Sequence, residues 1–454
     1  MPTIPRSLTI TNASVDILNA IRNNASTNYQ NKVPIATNNA EVIKSIGAVL
    51  MDFPALLNEF RNALVNRIGR VLIKSKLYES PLAVLKKGIL DYGESTEEIF
   101  VEMAKPQQYD PEYAETNVFN RELPDIKSAF HVINYKKFFK TTVQDNDIKQ
   151  AFLNEGGVID LIEKIIEQLT TGANYAEYQA SKYLIAKTIL NSFIYPTEIV
   201  APTDRATAED LVIAVKKASN DFTFMKSKYN IAKVKTKTDK SDQVILIDSA
   251  ADALIDVKVL AVAFNMSIDE FEQRKIVVDG FGDLDTELIA ELFENTDATY
   301  HEFTAAEMTA LNQIPLILMS EDFLMIYDNL IEMRDLENGE GLSRNYWLHN
   351  WKTLSISPFE NAVLFVPGEP TVNSITVTPA TATVAPGSTL ALQIAVNVSN
   401  YAPQAVNYAS NNDKVTVDAS GLVKIAEDAT GTATITITSV FDSSKTATVT
   451  LTIS

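Results

Sequence analysis

An α+β body followed by a separate all-β sandwich is the fold class that this sequence predicts, and three observations predict it. Residues 158–195 carry helical periodicity. Short strand-like runs at 276–278, 316–319, 323–327 and 362–366 interleave with helical segments. At 367–370 the composition changes abruptly, and threonine then alternates with apolar residues to the end of the chain.

The chain has 454 residues, 46% apolar composition and a mean hydropathy of −0.01, enough for a substantial core and for two or more domains. Net charge is −19, from 39 basic and 58 acidic residues, which argues against a general affinity for phosphate backbones. Cysteine is absent, so disulfides, thiolate metal sites and thiol nucleophiles are excluded. No run approaches the roughly 18 apolar residues that a membrane-spanning helix needs. Residues 1–10 carry Arg6 but no apolar segment of the secretory type, so a cytoplasmic product is expected.

Residues 1–45, rich in Asn, Thr and Ser, are expected as an extended N-terminal arm, with a short apolar pattern at Val15, Ile17, Leu18 and Ile21. A body spanning 46–366 follows. Its first part reads as helical pieces through Ile46, Leu50, Leu56, Phe60 and Leu64, with Pro54 marking a break or new start. From about 74 to 142 the texture changes. Gly88 and Gly93 punctuate strand-like runs, among them 97–103, while Pro106, Pro111 and Pro124 prevent a long helix. A long excursion with little core of its own is expected to dock outside its own fold. Its carboxylates Glu94, Glu97, Glu98 and Glu102 fit either an acid/base pair or a solvated or inter-subunit strand face, and the second is the simpler reading.

In the stretch 158–195, Leu161, Ile162, Ile165, Ile166 and Leu169 recur at three- and four-residue steps, opposite Asp160, Glu163, Lys164 and Glu167. Gly172 suits a helix end, and a second helix, about 173–195, carries Tyr178, Ile185, Ile189 and Phe193 on one side before Pro196 stops it. Lys182 falls inside that stripe, where it either snorkels to water or pairs with an acid on another subunit. Lys226, Lys228, Lys233, Lys235, Lys237 and Lys240 form a basic run with Tyr229 among them. In so acidic a chain it reads as a solvated or salt-bridged loop before it reads as a nucleic-acid patch.

Chemistry is sparse. His131, His301 and His349 are far apart, with no metal-binding i, i+4 pair. Asp279, Asp283 and Asp285 do not match the twelve-residue calcium loop. No nucleophile elbow, phosphate-binding loop or dinucleotide fingerprint occurs, so no cofactor and no metal are expected.

Pro367-Gly368-Glu369-Pro370 reads as a linker. From Thr371 onward there are three lysines and five acids, a net −2, which leaves −17 on the body. Ala433, Ile435 and Ile437 alternate with threonines, as do Ala447, Val449, Leu451 and Ile453. That is the period of half-buried antiparallel strands, with turns at Pro386-Gly387 and Ser420-Gly421. Residues 371–454 are therefore expected as a β-sandwich.

Specific stretches carry a family resemblance. Lys86-Lys87-Gly88, Thr96-Glu97-Glu98-Ile99, Gln108-Tyr109-Asp110, Val118-Phe119, Val259-Leu260-Ala261 and Ala263-Phe264-Asn265-Met266 are among them. Asp279-Gly280-Phe281, Tyr327-Asp328-Asn329-Leu330, Trp351-Lys352-Thr353-Leu354-Ser355, Phe359 and Asn361-Ala362-Val363 continue it. In order, these resemble the major capsid proteins of small short-tailed phages of the phi-29 group. The last part, through Tyr408-Ala409-Ser410-Asn411, Gly421 and Gly431-Thr432-Ala433, resembles the bacterial immunoglobulin-like group 2 module, with Tyr408 where that module usually has tryptophan. The stretch 283–313 is an addition to the pattern.

The resemblance implies the tailed-phage major capsid fold of the Hong Kong type: N-arm, extended loop, spine helix (about 173–195), peripheral and axial domains. It implies a structural, non-enzymatic protein whose pentamers and hexamers build an icosahedral or prolate shell around double-stranded DNA, bound without sequence specificity. Scaffolding protein, portal and a head fibre are the other partners it implies, with no membrane and assembly in the host cytoplasm. Inter-subunit contacts are expected at Glu97, Ile99, Phe100, Met103, Tyr109 and Lys182, and packing landmarks at Trp351, Phe359 and Tyr408. A surface-layer or adhesin protein carrying the immunoglobulin-like module is the alternative, and an enzyme with an appended module a third reading.

Overall fold

One helical column runs where two separate helices were expected. In the computed structural model, which describes residues 10–74, 80–90, 95–106, 121–153, 157–255, 274–293 and 300–454, Gly157–Ile166 passes through a π turn, Glu167–Thr171, into Gly172–Leu190. Gly172 does not end a helix; its φ of −60° and ψ of −44° are helical. The π turn takes up the misfit between the two faces and keeps Leu169 and Thr170 buried. The column stops at Leu190, ahead of Pro196, because Ser192 adopts a left-handed φ of 55° and Tyr195–Ile199 is already a strand. Phe193, expected in the buried stripe, lies beyond the helix and is 45% exposed.

The Gly172–Leu190 helix is buried on several sides, through Ala176, Tyr178, Ala180, Tyr183, Ile185, Ala186 and Ile189. On one side lies a five-stranded sheet in the order Tyr195–Ile199, Ala362–Pro367, Leu316–Ser320, Gln243–Asp248, Lys275–Val278. Val244, Leu246, Ile317, Met319 and Leu364 meet the spine helix, while Ile245, Ile247, Leu316, Leu318 and Phe365 meet the helix Arg205–Phe222 on the other face. A central strand covered on both faces buries successive side chains on either side, which is why residues 316–319 read as an unbroken apolar run. The described parts of 283–313, the stretch expected as an addition, join this core. Phe293 and Phe303 pack on Tyr183 at 4.8 and 5.4 Å, and the helices Thr286–Phe293 and Ala305–Leu311 supply Leu292 and Leu311.

A four-stranded sheet, Lys86–Ile89, Leu324–Asn338, Ser343–Ile356, Tyr135–Gln144, forms the second centre. One of its faces, through Phe139, Val143, Tyr346 and Leu348, covers a cluster that also holds Ile17, Ile21, Ile46, Phe60 and Leu161. Here the expected extended arm is corrected. Ile10–Asn23, Thr27–Lys32 and Ala40–Asp52 are helices, and Ile17, Leu18 and Ile21 are buried because one helical turn brings them onto one face. The expected loop 74–142 is shorter too. Lys86–Ile89 and Tyr135–Gln144 are strands of the sheet, so the excursion runs from about 90 to 133.

The C-terminal sandwich matches expectation. Ala433, Ile435, Ile437, Val449 and Leu451 are fully buried while the alternate threonines face outward. Positive φ at Gly387 (76°) and Gly421 (83°) makes both turns, a conformation that glycine adopts without strain. The linker is tied down, with the Gly368 amide donating to the Ile199 carbonyl at 3.4 Å and the Asn400 amide to the Glu369 carbonyl at 2.9 Å.

Candidate assembly interface

Two strands of the excursion, Ser95–Val101 and Ile126–Val132, form an antiparallel hairpin with Glu97 opposite Phe130, Ile99 opposite Ser128 and Val101 opposite Ile126. Successive strand residues point to opposite faces, so these six side chains share one surface with Val132. It is open: Ile99 is 59% exposed and Phe130 65%. Neighbouring Met103 and Leu123 are also exposed. A two-stranded hairpin with a bare apolar face is marginal by itself and needs a partner surface.

The other face rests on the body. Phe100 stacks on Phe359 at 5.5 Å. His131, which is buried, sits between Ser355 (Nδ1 to Oγ, 2.7 Å) and Glu98 (Nε2 to Oε2, 3.3 Å), and the Ser357 hydroxyl donates to Glu98 Oε1 at 2.7 Å. The succession Ser355, His131, Glu98 has the connectivity of a nucleophile relay, but its ring is closed off between hairpin and body. What it does here is tie the hairpin down. Glu102 is paired with Lys127 at 2.9 Å.

The expected contact residues thus separate. Glu97, Ile99 and Met103 are exposed and available to another chain, whereas Phe100 is corrected to an intrachain contact because strand alternation turns it onto Phe359. Tyr109, with Gln108, Asp110, Val118 and Phe119, lies outside the described residues, as do residues 259–266. Lys182 is corrected as well. It is 3% exposed, neither snorkelling to water nor directed at another subunit, and its ammonium donates to Asp279 Oδ1 at 2.6 Å and the Asp283 carbonyl at 2.5 Å of its own chain. Burial would raise the Asp279 carboxyl, but the Lys182 and Tyr178 donors hold it below the usual carboxylate range. Asp283 accepts from Asn312 at 2.7 Å and Asp285 from Tyr175 at 3.3 Å, and among the described residues no cluster of acids and histidines is arranged to hold a metal ion.

Lys182→Met should therefore weaken folding of the isolated chain by about 1–3 kcal/mol, and Asp279→Asn by more, since it leaves an ammonium buried without its counter-charge. Urea unfolding of both variants checks this. Unchanged midpoints combined with lost assembly would return Lys182 to the subunit boundary.

Of the packing landmarks, Phe359 is buried and Tyr408 packs against the sandwich core, its hydroxyl raised by burial and by Asp418. Trp351 differs from expectation. It is half-buried on the face of the four-stranded sheet turned away from the helices, with Lys136 over its ring at 5.4 Å. Within the lysine run, Lys226 pairs with Asp221 at 2.6 Å and Lys237 with Asp239 at 2.9 Å, which is a salt-bridged loop.

One group escaped sequence reasoning. Lys86, Glu177, Asp328 and Lys352 form a buried ring of alternating charge. Lys86 meets Glu177 at 3.2 Å and Asp328 at 2.6 Å, Lys352 meets Glu177 at 2.7 Å, and Lys352 also binds Asp328. Burial would raise the Asp328 carboxyl, yet Lys352 and Lys86 hold it below its ordinary value. Burial would lower the Lys86 ammonium, yet Glu177 and Asp328 raise it. The ring joins the root of the excursion, the spine helix and two sheet strands, so it fixes where the hairpin departs.

Comparison with known proteins finds relatives over most of the chain. The chain is 32% identical to the major capsid protein of Bacillus phage B103 over 439 residues, covering 94% of this chain and 90% of that one. To that of Bacillus phage PZA it is 33% identical over 388 residues, covering 85% and 80%. A solved capsid structure of Staphylococcus phage Andhra matches at a TM-score of 0.49 and 18% identity, over 66% of this chain and 86% of that chain. Residues 371–451 match the bacterial Ig-like domain (group 2). Residues 18–366 match the Phi29-like phage major capsid protein family, and the chain belongs to that family.

Proposed function

We propose that copies of this chain assemble, as pentamers and hexamers, into a closed icosahedral or prolate head shell around double-stranded DNA. The hairpin of each copy orders on its neighbour. The bare apolar face of the hairpin carries this reading, since burying it on a second copy removes from water the surface that its own chain leaves exposed. Contacts between neighbours that close into rings limit growth to a finite particle. A net charge of −19 suits a container whose contents must not adhere to it. A scaffolding protein, a portal and a head fibre are further partners in this reading, with assembly in the host cytoplasm. The immunoglobulin-like module is displayed outward.

Electron microscopy of the purified protein tests the proposal. Closed shells are expected, and deletion of residues 90–110 should leave soluble, folded protein without shells. Flat lattices from the intact chain would favour a surface-layer protein instead. Dispersed particles would leave the shell reading without support. Host adsorption unchanged by truncation at Pro367 would assign the sandwich to decoration.

A further inference from the structure

The two long strands of the four-stranded sheet, Leu324–Asn338 and Ser343–Ile356, are joined by a turn through Gly339, Glu340, Gly341 and Leu342. The residues where the first strand enters the turn, Asn338 and Gly339, are the one Asn-Gly pair of the sequence. Every residue from Asn338 to Leu342 is exposed. The Asn338 side chain curls over the peptide that follows it, because its Oδ1 accepts from the Glu340 amide at 3.2 Å and from the Gly341 amide at 3.1 Å. Among the described residues, the Gly339 N–H has no acceptor. Gly339 takes no left-handed φ, and a side chain added there would meet nothing within 4 Å.

We propose that Asn338 is a site of self-modification, at which the side-chain amide converts, without an enzyme, to a mixture of aspartate and isoaspartate. A base in the solvent takes the Gly339 amide proton, that nitrogen bonds to Cγ of Asn338, and the Cγ–Nδ2 bond breaks as ammonia leaves. Water then opens the cyclic imide. Cleavage at Cγ gives aspartate, and cleavage at the main-chain carbonyl gives isoaspartate, whose backbone runs through the side-chain carbon. One amide and one water become one carboxylate and one ammonium ion, so no oxidant or reductant is needed.

Three features of the turn serve these steps. The two backbone amides stand on the oxygen that gains negative charge as the nitrogen attacks, as donors at an oxyanion do. The attacking N–H has no hydrogen bond to give up. Glycine puts no side chain in the path of attack. Elsewhere the fold locks comparable pairs. Asp279-Gly280 can close the same ring by losing water, but its carboxylate is held by Lys182 and Tyr178, and Gly280, at a φ of 137°, is hemmed in by Asn312 and Asp283. Asn191, ahead of Ser192, caps the Gly172–Leu190 helix. Asn373, ahead of Ser374, lies in the strand Thr371–Thr378 with its amide donating to Ser399 at 2.9 Å.

Conversion places a carboxylate between Glu337 and Glu340, and isoaspartate also lengthens the main chain at the Asn338–Ser343 pair that closes the turn. Glu337 meets the buried Arg61 at 3.0 Å, so the tie between this turn and the helix Pro54–Lys74 is the contact next to the change.

Purified chain held for several weeks at mildly alkaline pH, digested under mildly acid conditions and analysed by mass spectrometry tests the assignment. The peptide carrying 338–339 should gain about one dalton, a hydroxyl in place of an amino group. It should resolve into two products, of which isoaspartate is methylated by an isoaspartate methyltransferase and aspartate is not. Gly339→Ala, which the open turn accommodates, should lose most of that signal. Peptides carrying 191–192, 279–280 and 373–374 should stay unconverted over the same period. An unchanged 338–339 peptide would overturn the proposal, and so would equal conversion in the Gly339→Ala variant. Conversion of the two Asn-Ser pairs at a similar rate would overturn it as well, since the turn would then select nothing.

Discussion

Aspartate at both Ile99 and Phe130 is expected to abolish shell formation and to leave the chain folded. In the single chain both side chains are more than half exposed, so each substitution should change folding stability by about 0.5 kcal/mol or less. At a subunit boundary the balance reverses. Each side chain would lose roughly 1.5–3 kcal/mol of burial, and an unpaired carboxylate would have to be desolvated there as well. Because every contact between neighbours carries the same lesion, the loss repeats throughout the particle. Circular dichroism and urea unfolding should match the unmodified chain, while sedimentation and electron microscopy show only small species. Ile99→Val, which keeps the face apolar, should assemble. Normal shells from the double aspartate variant would exclude the hairpin from assembly.

Breaking the ring of charge is the second large effect, and it falls on folding. Lys352→Met leaves Glu177 and Asp328 buried around Lys86 alone, and loss of one partner from a buried pair costs about 3–5 kcal/mol. Removing one charge of each sign, as Lys352→Met with Asp328→Leu, leaves the Lys86–Glu177 pair at 3.2 Å intact. The double variant should therefore be less destabilised than the sum of its singles.

The pH dependence follows from the directions of shift. Asp328 has a depressed folded pKa, so its contribution is present above the unfolded value near 3.9 and is lost as pH falls through the lower folded value. Lys86 is raised, so its contribution is lost only as pH rises through a value above the ordinary lysine range. Acid should weaken the body of the unmodified chain more than that of the double variant. Unfolding midpoints at neutral pH and below pH 4 check both statements. A single-variant cost under about 1 kcal/mol would show the ring to be ornamental to stability.

Much of this was legible in the residues. Alternation at 433–437 and 447–453 specified the sandwich because one face of each strand must be buried and the other not. Apolar runs such as 316–319 marked core strands, whereas the covering of that sheet on both sides shows only in the packing. Helix boundaries were less legible. Gly172 reads as a stop by propensity, yet packing on both flanks carries the helix through it, with a π turn absorbing the mismatch.

The arm was misread because polar composition outweighed the four residues Val15, Ile17, Leu18 and Ile21, three of which turn out to be buried. Lys182 and the ring of charge could not be read at all. A buried lysine looks the same in sequence whether its partner lies about 100 residues away, as Asp279 does, or in another molecule. At the hairpin, the alternation of Ile126, Phe130 and Val132 was present in the sequence. Only pairing with Ser95–Val101 shows that these side chains share a face with Ile99.

The most direct measurement is a cryo-electron microscopy reconstruction of particles formed by the intact chain. The account predicts a closed shell in which the hairpin of every copy crosses to a neighbour, with Ile99 and Phe130 buried at the contact. Particles whose hairpins point into solvent or fold back over their own subunit, or a flat lattice in place of a shell, would contradict it.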